Sequence, residues 1–156
     1  MDLPFQTNPT QVAGLLAFAA SALACAWAAR RRPGGWAWLA AVHGLLWLDI
    51  LLGTRHRLHD WINAGLRALG AYGERVWLQV ALLAALASLA VVVWRARRRL
   101  GAAGTATALV VALLIVEAIS WHETDRLLYL RIGPLLLIAY AWIAGAAVVV
   151  ASALRR

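Results

Sequence analysis

The chain has 156 residues, 63% of them hydrophobic and 14% charged, with a mean hydropathy of +0.73. Soluble domains are nearer half apolar and a quarter charged, so this balance excludes a disordered chain, a nucleic-acid-binding arm and an ordinary cytosolic enzyme. The net charge of +8 arises from fifteen arginines placed between long apolar runs, the pattern of a membrane protein rather than of a basic patch. A single cysteine, Cys25, excludes a disulfide framework and any multi-cysteine metal motif.

Met1-Asp2-Leu3-Pro4 has no basic segment, and the apolar run after it has no small-residue cleavage site, so no removable signal peptide is expected. Crossing a hydrocarbon core of roughly 30 Å takes about 20 helical residues. A first span is predicted over 10–29, with Ala13, Ala17, Ser21 and Cys25 forming a small-residue ridge for close helix approach. Arg30, Arg31 and Arg32 end it. A second span over 36–53 carries His43 and Asp49, and Gly53-Thr54 reads as a helix end followed by a new N-cap. From about 57 to 70, Leu58, Trp61, Ile62, Leu66 and Leu69 recur at helical spacing opposite Arg57, Asp60, Asn63 and Arg67. This is an amphipathic helix suited to the membrane interface.

The third span, 76–94, carries Gln79 and ends in Arg95, Arg97, Arg98 and Arg99; the segment RARRRLGAAG reads as a loop. The fourth covers 105–120 and ends near Glu117, after which Leu127, Leu128 and Tyr129 are apolar enough to dip into the interface. Pro134 opens the fifth, 134–153, where its missing N–H costs nothing. Spans two and four are short, about 27 and 24 Å at 1.5 Å per residue. The predicted fold is all-α: a single domain over 1–156, built as a bundle of five transmembrane helices with an interfacial helix between spans two and three.

Five spans put the arginine clusters at 30–32, 95–99 and 155–156 on one side, which the positive-inside rule assigns to the cytoplasm. The expected location is a bacterial-type inner membrane, N-terminus outside and C-terminus inside, with anionic lipid at the cytoplasmic face. All seven acids (Asp2, Asp49, Asp60, Glu74, Glu117, Glu123 and Asp125) then fall at or near the outer side, with three of the four histidines.

Asp49 near the outward end of span two is followed by His56, His59 and Asp60, and Glu117 near the outward end of span four is followed by His122 and Asp125. If the bundle brings these together, imidazole and carboxylate form a set suited to a divalent transition metal or to general acid–base work. HxxH alone is a weak signal, and no zinc signature such as HExxH occurs. Ser120 and Glu123 match a capping box, which makes them structural. Asp49 and Glu117 lie where an ionised group costs about 2.5–3.5 kcal/mol, and Arg55, Arg75, Arg126 and Arg131 are the candidate ion-pair partners. His43 sits deep in span two without a second histidine at matching depth, so a bond to a neighbouring helix is expected rather than haem ligation.

No P-loop, dinucleotide fingerprint or serine-hydrolase elbow is present, so catalysis is left unassigned. The reading favoured by the one-sided acids is a polar His/carboxylate site at the outer ends of spans two and four, binding a metal ion or a polar headgroup-like ligand. A non-catalytic accessory subunit of a larger membrane complex is the alternative. Proton or ion translocation through Asp49 and Glu117 is a third, weakened because no ionisable residue continues the path below His43.

Overall fold

The computed structural model describes residues 8–32, 34–70, 73, 75–119 and 126–155; several side chains between 55 and 100, and those of 118 and 119, lie outside that description. Among the described residues the chain is all-α apart from one small hairpin. Helix α1 (Pro9–Arg31) is capped by Asn8, whose side chain accepts from the Thr10 N–H at 3.0 Å, with proline in the first turn. It runs past the apolar stretch through Arg30 and Arg31, because arginine is a strong helix former and complements the negative C-terminal end.

Helix α2 (Trp36–Leu52) stops at Gly53, which takes the left-handed conformation (φ 61°, ψ 35°) and donates its N–H to the Asp49 carbonyl at 2.8 Å. The amphipathic helix α3 (Thr54–Ala68) follows at once, three residues earlier than its apolar periodicity suggested. Thr54 does not cap it. Its hydroxyl turns back to the Asp49 carboxylate instead.

Helix α4 (Arg75–Ile119) corrects the expected loop at RARRRLGAAG. Arginine, alanine and leucine all favour helix, and the break falls on Gly101 alone (φ 64°, ψ −174°). The last span also starts later than its sequence suggests. Gly133, with φ 61°, and Pro134 form the turn of a two-residue hairpin joining β1 (Arg131–Ile132) to β2 (Leu135–Leu136). Helix α5 (Leu137–Leu154) begins only after it.

The core is built by α1, α2, α5 and the part of α4 after Gly101. Phe18, Ile50, Val110, Leu114, Ile138 and Trp142 pack in one cluster; Cys25, Ala103 and Val149 pack in a second. The buried row of α1 runs through Gly14, Phe18, Ser21 and Cys25, so its upper half is offset from the expected Ala13 and Ala17. Gly14 seats the Trp142 ring, since a Cβ there would lie 2.9 Å from it. Phe18 sits between His43 and Trp142, with ring centroids 6.0 Å from each. Gly145 lets α5 close onto Val110 of α4.

The interior also holds polar groups: Thr10, Ser21, His43, Thr107 and Glu117 are buried. On the outside, Leu16, Leu23, Leu45 and Leu109 are between 64% and 72% exposed. Helices α1 and α5 are long and apolar enough to cross a membrane; Trp36–Leu52 and Gly101–Glu117 are apolar but shorter.

Helix direction organises the two ends. Thr10, Gly53, Glu117 and Leu136 meet at one end. At the other, Arg32 donates to the last-turn carbonyl of Ala153 and lies 5.0 Å over the Trp36 ring. Gly53 is at the first end, whereas Ala103 packs with Cys25 near the second. Residues 54–100 therefore carry the chain back over the height of the bundle.

Candidate functional site

At the first end the four core helices leave a partly open crevice of about 210 Å³. Its wall includes Glu117, Tyr129, Thr10, Gln11, Ile50 and Trp142. Glu117 stands in the last turn of α4 and is 6% exposed. The Tyr129 hydroxyl donates to its Oε1 at 2.7 Å. Tyr129 is brought there by the turn after 126–128, where the Leu130 N–H bonds to the Leu127 carbonyl at 3.1 Å.

Three further hydrogen bonds fix the frame. The Leu136 N–H donates to Thr10 Oγ1 at 3.0 Å, tying the hairpin to α1. Gln11 Nε2 donates to the Ile50 carbonyl at 3.2 Å, satisfying one of the last carbonyls of α2. The Asn8 cap keeps the first turn of α1 in place. These side chains hold backbone groups that the helix ends and hairpin would otherwise leave open. The result is a partly open recess whose walls are part polar and part apolar.

The predicted site residues separate under this geometry. Glu117 is on the crevice wall. Asp49 is one turn before Gly53, half-buried, with its carboxylate accepting from Thr54, so it borders the recess instead of lining it. Asp60 is exposed on α3, and Arg126 and Arg131 are exposed near the hairpin. The side chains of His56, His59, Arg55 and Arg75 lie outside the described residues, as do Ser120, His122, Glu123 and Asp125. Among the described residues no group of three or more His, Cys, Asp or Glu is placed to hold a metal ion.

Each of the two carboxylates takes a hydroxyl donor that sequence reasoning did not nominate, Thr54 for Asp49 and Tyr129 for Glu117. Gln11 and Thr10 were missed as well. A polar side chain one turn into an apolar run is the available signal, but it does not say which neighbouring helix end the side chain meets.

Deeper in the bundle, His43 meets the expectation of a bond between helices. Thr107 Oγ1 donates its only proton to the Ala103 carbonyl at 2.9 Å and lies 3.1 Å from His43 Nε2. It therefore accepts from Nε2–H, which fixes the imidazole tautomer. This bond joins α2 to the second arm of α4 away from the crevice. Comparison with protein-family models, curated proteins and solved structures finds no match for the chain.

Proposed function

We propose that this chain is a small integral membrane protein that binds a small polar, headgroup-like ligand in the crevice beside Glu117. The inverted distribution of side chains supports the membrane reading. Large leucines face outward while Thr10, Ser21, His43, Thr107 and Glu117 face inward. Water would penalise that arrangement, whereas hydrocarbon favours it. The shorter apolar helices then cross with their ends in the headgroup layer, and residues 54–100 supply the remaining span and the interfacial helix.

The observation that carries the ligand reading is the buried Glu117 carboxylate on the wall of a partly open recess of about 210 Å³. Ligand pockets for drug-sized molecules are about 300–1,000 Å³, so the recess suits a headgroup rather than a large cofactor. The metal alternative has no support among the described residues.

Native mass spectrometry of the full chain released from nanodiscs of mixed polar lipid tests the proposal. Wild type should retain one polar ligand per chain. Gln11→Phe fills the recess and should lose that ligand while keeping its helical circular dichroism. Bare protein in both samples, or equal adducts on both, would contradict the proposal.

A further inference from the structure

We infer that the outward face of α1 binds one anionic phospholipid, with its phosphate between Arg30 and Arg31 and an acyl chain along Leu23, Ala20 and Leu16. This rests on the membrane setting of the proposed function but not on its crevice, which meets α1 at the opposite end, around Thr10.

Leu16, Ala20, Leu23 and Trp27 are all exposed, and their alternating spacings of four and three residues set them on one stripe of the helix. Arg30 and Arg31 come three and four residues after Trp27, so they flank the head of that stripe, and both are exposed. The Arg31 guanidinium lies 4.2 Å over the Trp27 ring. Stacking of this kind holds the guanidinium plane and leaves its edge N–H groups for a bidentate acceptor. From Leu16 to Trp27 the apolar track is about 16 Å long at 1.5 Å per residue. That is close to one leaflet's half of a roughly 30 Å hydrocarbon core.

Among the described residues no acid balances this end. The sequence has none between Asp2 and Asp49 or after Asp125. Asp49 and Glu117 stand at the crevice end, and Asp60 is on α3, which starts there at Thr54. Arg32 bonds the Ala153 carbonyl and so brings the end of α5, with exposed Arg155, to the arginine end. The C-terminus of α1 offers only about half a negative charge, against the two full positive charges of Arg30 and Arg31.

A phosphate diester answers that charge, whereas the choline of a zwitterionic lipid adds another cation to the patch. A soluble polyanion would engage the arginines and leave the apolar track bare. A phospholipid fits both, and Trp27 stands at the boundary where indoles favour the headgroup layer.

The test places the full chain in vesicles of equal phosphatidylglycerol and phosphatidylcholine. A trace of either lipid carries a diazirine in its acyl chain, and peptide mass spectrometry maps the label. Phosphatidylglycerol should label Leu16–Trp27 about fivefold or more over phosphatidylcholine, the scale of one arginine's attraction to an anionic leaflet. Leu45 on α2 and Leu109 on α4 also face outward and should show no such preference. Arg30→Gln with Arg31→Gln should bring α1 to that reference ratio. Arg126→Gln with Arg131→Gln removes the same charge near the hairpin and should leave the preference intact. Trp27→Leu releases the Arg31 plane and should reduce the preference in part.

A wild-type ratio on α1 equal to the reference faces overturns the inference, as does an unchanged ratio in the Arg30/Arg31 variant. Loss of the preference on adding millimolar glycerol phosphate also overturns it, since a soluble headgroup would then suffice. Gln11→Phe should leave this labelling unchanged, so failure of the crevice reading is read separately. Label from neither lipid on any outward face would remove the membrane setting and both proposals with it.

Discussion

Adding one methyl group at Gly14 probes the packing that holds the crevice wall in place. The new Cβ would lie 2.9 Å from two carbons of the Trp142 ring and 3.5 Å from Ile50 Cγ2. Carbon atoms prefer separations of about 3.5–4.0 Å, so the ring or α1 must yield by at least half an ångström. Trp142 is 2% exposed and has Phe18 beside it, which restricts its movement. Overpacking of this kind costs about 1–3 kcal/mol. Removing a helical glycine returns roughly 0.5–1 kcal/mol. Gly14→Ala should therefore lose about 1 kcal/mol, within a span of roughly 0–2.5 kcal/mol, a fall of about 2–4 °C on the scale of a domain this size.

Gly44 provides the control, because it sits within α2 and a Cβ there meets nothing within 4 Å. Gly44→Ala should be neutral or stabilising by about 0.5–1 kcal/mol. Both variants would be melted in the same detergent, followed by tryptophan emission and by size-exclusion recovery. A Gly14→Ala melt at or above wild type would refute the packing assigned to Trp142. Equal losses at both glycines would show that the effect belongs to glycine in general.

Three other substitutions address separate joints. Thr107→Val leaves the buried His43 N–H without its acceptor and should cost about 1–3 kcal/mol; combining it with His43→Leu should cost less than the two losses added, and strict additivity in a double-mutant cycle would contradict the bond. Gly145→Ala meets Val110 and should destabilise by about 1–3 kcal/mol, with Val110→Ala restoring much of the loss. Further loss in that double variant would contradict the contact. Gly53→Ala should cost about 1–2 kcal/mol from its left-handed backbone, and Gly53→Asn less; equal melts for the two would argue against the αL cap between α2 and α3.

The helical class, the end of α2 at Gly53, the amphipathic α3 and the helix-bonding role of His43 were all legible in the residues. Glycine punctuation and periodicity carry those features directly. The inward faces of α1, α2 and α5 were not, because a helix apolar all round has no polar side to reveal its orientation. Hence the small residues of α1 were noticed but the buried row was offset toward Gly14 and Phe18. Gly133-Pro134 was equally compatible with a helix start and a hairpin turn. Pairing of Arg131 with Leu136 decides it, and local propensity does not contain that pairing.

The site was legible only in part. Glu117 stood out because a carboxylate near the end of an apolar span needs a reason. Its donor Tyr129 is twelve residues away, beyond a segment whose path depends on tertiary contacts. The side chains of Arg55 and Arg75, two of the expected arginine partners, lie outside the described residues, and the described hydroxyls of Thr54 and Tyr129 reach Asp49 and Glu117. The place of Glu117 near a helix end and its charge could be read from sequence, but the identity of the neighbour required the fold.

An experimental map of the full chain in lipid nanodiscs, resolved well enough to show headgroups, addresses the central claim most directly. The account predicts a compact polar density in the recess between α1, α2 and α5, within hydrogen-bonding distance of about 2.7–3.2 Å of the Glu117 carboxylate. A collapsed recess filled by side chains, or a lipid acyl chain lying against Glu117, would contradict it.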